Sequence, residues 1–288
     1  MALRKHVPVV LAALAAILVP HVALAAIDLS GEYNPLPHED GQERGDGPDA
    51  GDFAGLPINE AGRMRGNTWN ASLITMPERQ CIPHPAPYEN RSVGFLRMWQ
   101  RRDDQTQEII AYETQQRAYL SRRTIWMDGR PHPPASFIHT FEGFSTGTWD
   151  GDVLVVRTTH MKPSFIRRNG LPMSDQAEMT ERFIRHDDLL LHVMTLVDPV
   201  YLAEPLVKTT VMKVNMIPTV RPYPCRPAVE VPRAKGVVPH NPMGDLEESK
   251  EYAGRHGISL EAAQGGPQTA LPEFMDRAAA PMTARAAR

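Results

Sequence analysis

"GTWDGDVLVVRTTHM", residues 147–161, is the stretch on which the fold turns. Asp150-Gly151 supplies hairpin-turn chemistry, and the alternating apolar run Val153–Thr159 that follows is of strand length. One face of Val153–His160 carries Leu154, Val156, Thr158 and His160; the other carries Val153, Val155, Arg157 and Thr159. His160 stands where the strand runs out. Two roles are open to it: a working residue at the mouth of a site, or a polar strand end.

Outward from this stretch the same pattern repeats. "VGFLRMWQ", "QEIIAYET", "RAYLSRRTIWM", "DVLVVRTTH", "AEMTERFIR", "LLLHVMTLV" and "LVKTTVMKVN" are runs rich in β-branched and aromatic residues. Asp128-Gly129, Asp150-Gly151 and His186-Asp187-Asp188 punctuate them, and connections that short join only antiparallel neighbours. An antiparallel meander of this length must curl or close to hide its edges. In Leu189–Val197 one face is Leu189, Leu191, Val193, Thr195 and Val197, and the opposite face, Leu190, His192, Met194 and Leu196, is also largely apolar, as in a wall covered on both sides. The expected fold is all-β: an antiparallel meander closing into a lipocalin-like barrel over residues 93–215.

The flanks read differently. Arg4, Lys5 and His6 precede the apolar run Val7–Leu18, and Ala23-Leu24-Ala25 fits a signal-peptidase site, so residues 1–25 are expected to be an export signal. The run falls short of the roughly 20 apolar residues a bilayer span needs, although a membrane anchor is the alternative. Residues 26–92, rich in proline, glycine and acidic residues, read as an irregular segment. Residues 216–265 read as a proline-rich strap followed by a short helix capped by Asp245 and Gly257, and 266–288 as a disordered tail. The 27 prolines and 20 glycines favour turns over long helices.

Losing Arg4 and Lys5 would take the net charge from −3 to −5, 29 basic against 34 acidic residues. With no basic stripe, nucleic acid is not an expected partner. In an exported protein Cys81 and Cys225 are expected to pair, two free thiols being the alternative. The expected location is the periplasm or the medium; the oligomeric state is left open.

"DLSGEY", "RRTIWMDGRPHPP", "HTFEGFSTGTWDGDVLVVRTTHM", "RRNGLPMSD", "ERFIRH" and "DPVYLAEP", in this order over roughly 28–260, resemble a large group of uncharacterised secreted bacterial proteins. The resemblance implies export and a shared fold, and no activity. Many relatives carry a histidine where this chain has Phe144. Gly31-Glu32-Tyr33 resembles a relaxed form of the Gly-x-Trp step that opens lipocalin-like barrels, a likeness of fold that does not fix function.

The polar residues for chemistry gather after the opening strand. Met161–Asp175 is a loop broken by Pro163, Gly170 and Pro172, and long loops serve as lids or binding loops. There His160 reads as a general base oriented by Asp175, with Arg168 steadying an anion and Asn169 lining the site. The structural alternative is an Arg168–Asp175 surface pair on an Asn169-Gly170 turn. Glu181 shares a face with Met179 and Phe183. A buried carboxylate there is a candidate acid, or else a partner for Arg157. His139, Trp126, Trp149, Met194 and His192 are candidate ligand-binding residues of the interior, with core packing as the alternative for each. His132, His139 and His160 could form a three-histidine site, but no pair has tight ligand spacing and no metal is expected. Nucleophile elbows, P-loops and dinucleotide fingerprints are absent from the sequence, so no cofactor is expected. The functional expectation is an exported barrel binding a small hydrophobic or amphipathic molecule. The alternatives are a cofactor-independent acid/base enzyme of hydratase, isomerase or hydrolase type, and an envelope interaction module.

Overall fold

The Asp150-Gly151 turn joins two strands in register, with Trp149 opposite Leu154 and Ser145 opposite Thr158. A computed structural model describes residues 27–36, 49–69, 81–89, 95–116, 121–167, 169–217, 234–237, 247–274 and 276–277. The expected signal segment, the helix cap Asp245, Arg168 and Cys225 lie outside these residues. So does the bridge expected between Cys225 and Cys81.

The strands are β1 (Gly31–Pro35), β2 (Leu96–Arg102), β3 (Ile109–Gln116), β4 (Arg122–Trp126), β5 (Phe144–Asp150), β6 (Val153–Thr159), β7 (Ser164–Phe165), β8 (Pro172–Met173), β9 (Glu178–His186), β10 (Leu189–Val197) and β11 (Leu206–Val214). Nine of them close a barrel in the order β1-β11-β10-β9-β6-β5-β4-β3-β2, and β7-β8 form a separate hairpin. Closure is made by β1, which pairs with β11 through Tyr33–Val214 and with β2 through Gly31–Met98, so neither neighbour keeps an open edge. The short helices are α1 (Glu60–Gly66), α2 (Ala86–Glu89), α3 (Glu251–His256) and α4 (Leu260–Gln264). None of the helices described is long and apolar enough to cross a membrane.

The barrel corrects the expected all-antiparallel meander at one place. β4 and β5 run parallel, with Ile125 opposite Ser145. Asp128-Gly129 opens a long, proline-rich connection over residues 127–143, and a connection of a dozen or more residues is what a parallel pair requires.

Inside, two apolar clusters sit end to end. One contains Tyr33, Leu96, Met98, Tyr112, Ile125, Leu154, Val156, Phe183 and Leu190. The other joins Met179, Met194 and Leu196 to residues beyond the strands: Phe53, Ile58, Ile166, Leu171, Met173 and Leu202. That second cluster plugs one mouth of the barrel. Between the clusters lies a polar belt of buried residues: Thr114, Arg123, Ser145, Thr158, Glu181, His192 and Thr210. Its position follows from strand alternation. Glu181 falls between Met179 and Phe183 on β9, and His192 between Leu190 and Met194 on β10.

The plug is fastened by hydrogen bonds. Asp198 accepts from the Ser174 backbone N–H and hydroxyl, both at 2.7 Å, and from the Val200 N–H at 3.0 Å. This ties the hairpin to the β10–β11 connection. Asn169 Nδ2 donates to the carbonyls of Asp49 and Asp52 at 3.1 and 2.9 Å. Gly51, at φ 78°, lets the chain pass the C-terminal segment: a Cβ there would lie 1.8 Å from the Ser249 carbonyl oxygen. α3 ends on Gly257 in the left-handed conformation, as expected for its C-cap.

Candidate functional site

His160 ends β6 in the left-handed region, at φ 58°, a conformation that costs a non-glycine residue about 1–2 kcal/mol. Its ring is buried and both nitrogens are engaged. Nε2 lies 3.0 Å from the Pro134 carbonyl oxygen, and Nδ1 lies 2.7 Å from Thr159 Oγ1. The same hydroxyl is 2.7 Å from His132 Nδ1, and His132 Nε2 is 2.9 Å from Thr146 Oγ1. The carbonyl can only accept, which fixes the direction of the whole chain for neutral rings. His160 Nε2–H donates to Pro134, and Thr159 O–H donates to His160 Nδ1. His132 Nδ1–H then donates to Thr159, and Thr146 O–H to His132 Nε2. Burial, the guanidinium of Arg157 and the ring of His160 hold the His132 pKa below its ordinary value, against the pull of Glu178.

His139 joins this group edge-on, its ring centroid 5.2 Å from that of His160, and its Nδ1–H donates to the Met161 carbonyl at 3.0 Å. The structure therefore brings His132, His139 and His160 together, through hydrogen bonds and ring edges. Among the described residues no three His, Cys, Asp or Glu side chains are grouped to hold a metal ion. Asp175 is exposed and does not orient His160; Thr159 and Pro134 do. Sequence reading missed this because the partners are a main-chain carbonyl and a hydroxyl rather than a carboxylate.

Glu181 is fully buried, and its partners are not the expected Arg157, which pairs with Glu178 on the surface at 2.8 Å. Arg123 reaches it from β4 at 2.8 Å and His192 Nε2 from β10 at 2.9 Å. Burial alone would push this carboxyl up, but the Arg123 charge and the His192 hydrogen bond outweigh it and bring the pKa down to about 2. A carboxyl ionised at neutral pH has no proton to give, so the candidate acid is a buried counter-ion instead. Arg123 carries no sequence signal for this role beyond its alternation inward beside Ile125.

The other expected ligand residues are dispersed. Met194 lies in the plug cluster, and Trp149 meets Tyr112 edge-on at 6.3 Å at the opposite end. Trp126 points outward, beneath the guanidinium of Arg130 at 3.3 Å, because its neighbour Ile125 takes the inward position. Asn169 is a brace for the segment at Asp49–Asp52. The loop Met161–Asp175 is no open lid. It folds into the β7–β8 hairpin, with Met161, Ile166, Leu171 and Met173 in the plug.

Against the outer side of that hairpin lies a cleft of about 350 Å³. Trp69, Phe141, Phe165, Tyr201, Pro163 and Pro172 form apolar walls, and Arg65, Thr68 and Ser164 supply polar groups. None of its lining residues belongs to a barrel strand. Gly170, at φ 92°, allows the closest approach: a Cβ there would lie 2.2 Å from Trp69 Cβ. Phe165 is braced from behind by Tyr88, at 5.1 Å between ring centroids, and Tyr88 by His84 at 4.9 Å. Compared with known proteins, the chain matches no family model, no curated protein and no solved structure.

Proposed function

We propose that the protein binds a small amphipathic molecule, its apolar body in the cleft beside the β7–β8 hairpin and its anionic end on Arg65. The cleft carries this reading. Its volume falls at the lower end of the about 300–1,000 Å³ typical of small-molecule sites, and a few polar groups among aromatic walls are what such sites present. The barrel then serves as scaffold, with its polar belt and plug fixing the hairpin. The likeness to lipocalins enters only as the analogy of a β-barrel serving a small ligand. We place the protein outside the cytoplasm, exported by its N-terminal segment and with Cys81 bridged to Cys225.

Decanoate and decanol distinguish the parts of the site. Titration followed by tryptophan fluorescence and calorimetry should show decanoate bound, with Trp69→Ala weakening both ligands at least tenfold. Arg65→Gln should weaken decanoate alone. No saturable binding of either probe, or affinities unchanged in both variants, refutes the reading. The enzymatic alternative is less supported, since His160 has both ring nitrogens in hydrogen bonds. On the binding reading His160→Ala leaves decanoate affinity within a few fold.

A further inference from the structure

The outer wall of β1–β4 alternates arginine with tryptophan. Arg97, Trp99 and Arg101 project from β2, and Arg122 and Trp126 from β4, because Met98, Arg123 and Ile125 take the inward positions. Three of the wall's cations are neutralised locally. Arg97 meets Glu32 at 3.1 Å, Arg101 meets Glu113 at 3.0 Å, and Arg130 pairs with Asp128. Arg122 is different: it is exposed, and among the described residues no carboxylate lies within ion-pair distance of it. Its guanidinium stands over Trp99 at 5.2 Å from the ring centroid, against 3.3 Å for Arg130 over Trp126. Trp99 is thus the less closely covered ring. Both residues line an open groove of about 670 Å³, together with Arg97, Gln115, Asn215 and Glu32.

We propose that this groove is a second binding site, for a sugar bearing a carboxylate. Arg122 takes the carboxylate in the bidentate geometry that guanidinium favours. Trp99 offers an apolar face to the ring's C–H groups. The side-chain amide of Gln115 can both donate and accept, as sugar hydroxyls require. The charge balance decides against polyphosphate and nucleic acid: with Arg97 held by Glu32, only one guanidinium of the groove lacks a carboxylate partner among the described residues.

Digalacturonic acid is the probe, with neutral digalactose and pyrophosphate as comparisons, in calorimetric titration of the full chain at low salt. Digalacturonate should bind saturably, digalactose at least tenfold more weakly, and pyrophosphate no better than digalactose. Arg122→Gln lies on the surface and leaves the fold intact, which its melting curve checks; it should cost digalacturonate at least tenfold and leave digalactose unchanged. Trp99→Ala should weaken both sugars. Equal binding of the acidic and neutral sugars, preference for pyrophosphate, or an Arg122→Gln variant with undiminished affinity overturns the proposal. None of these substitutions touches the cleft beside the hairpin, so the two sites fail or stand separately.

Discussion

At the residue scale the buried trio Arg123–Glu181–His192 is the feature with the largest consequence. Taking charge out of water is costly, and removing one member leaves the others buried without compensation, at about 3–5 kcal/mol. Glu181→Gln, which keeps the shape and removes the charge, should therefore destabilise the protein by several kcal/mol in urea unfolding. A loss under about 1 kcal/mol would show that Arg123 finds another partner or reaches water. The pH dependence has a definite sign. The folded pKa of Glu181 lies below the unfolded value, so its contribution is full above about 4.5 and is lost as pH falls toward about 2. Sequence alternation put Glu181 on one face with Met179 and Phe183 and left open a surface pairing with Arg157. It could not supply the partner, because Arg123 lies far off in sequence and reaches Glu181 on β9 only once the barrel has assembled through β4, β5, β6 and β9.

At the element scale the connection 127–143 is held by three histidines and two threonines, and it presents Phe137 and Ile138 to solvent, 51% and 74% exposed. His132 is favoured neutral in the fold. Its contribution is present above the unfolded value near 6.5 and is lost as pH falls below it, with His160 and Arg157 opposing the new charge and Glu178 favouring it. Amide hydrogen exchange of residues 131–140, corrected for intrinsic rates, should rise severalfold from pH 7.5 to pH 5. In His132→Gln that pH dependence should be largely lost. Exchange that tracks the rest of β5 and β6 across this range would show that the histidine chain does not hold the segment. None of the seven strand-length runs read from the sequence covers β5. "FSTGTWD" lacks a run of apolar residues, since Gly147 faces inward under Met127, Ile125 and Leu154 and needs no side chain there.

For the whole molecule, closure rests on one short strand. β1 contributes Tyr33 to the core and pairs on both sides, and Leu29 just before it is fully buried. A chain lacking residues 27–36 would expose the ladders of β2 and β11, the kind of edge that recruits another chain. Size-exclusion chromatography should show that variant associating, with its melting transition lowered or lost; a monomeric species with unchanged melting would mean the barrel does not need β1.

The sequence by itself determined that the protein is built of strands, where seven strand-length runs lie, how the faces of β6 and β10 alternate, and that Asp150-Gly151 is a hairpin turn. Those properties follow from period-two alternation and local turn chemistry, which are written in adjacent residues. Only the tertiary structure decided the rest. The long connection after β4 let β5 run parallel, the expected lid became a packed hairpin, and His160 acquired Thr159 and Pro134 in place of Asp175. The candidate site moved from the barrel interior to its outer side. Each of these depends on contacts between residues distant in the chain, where geometry rather than local pattern selects the partner.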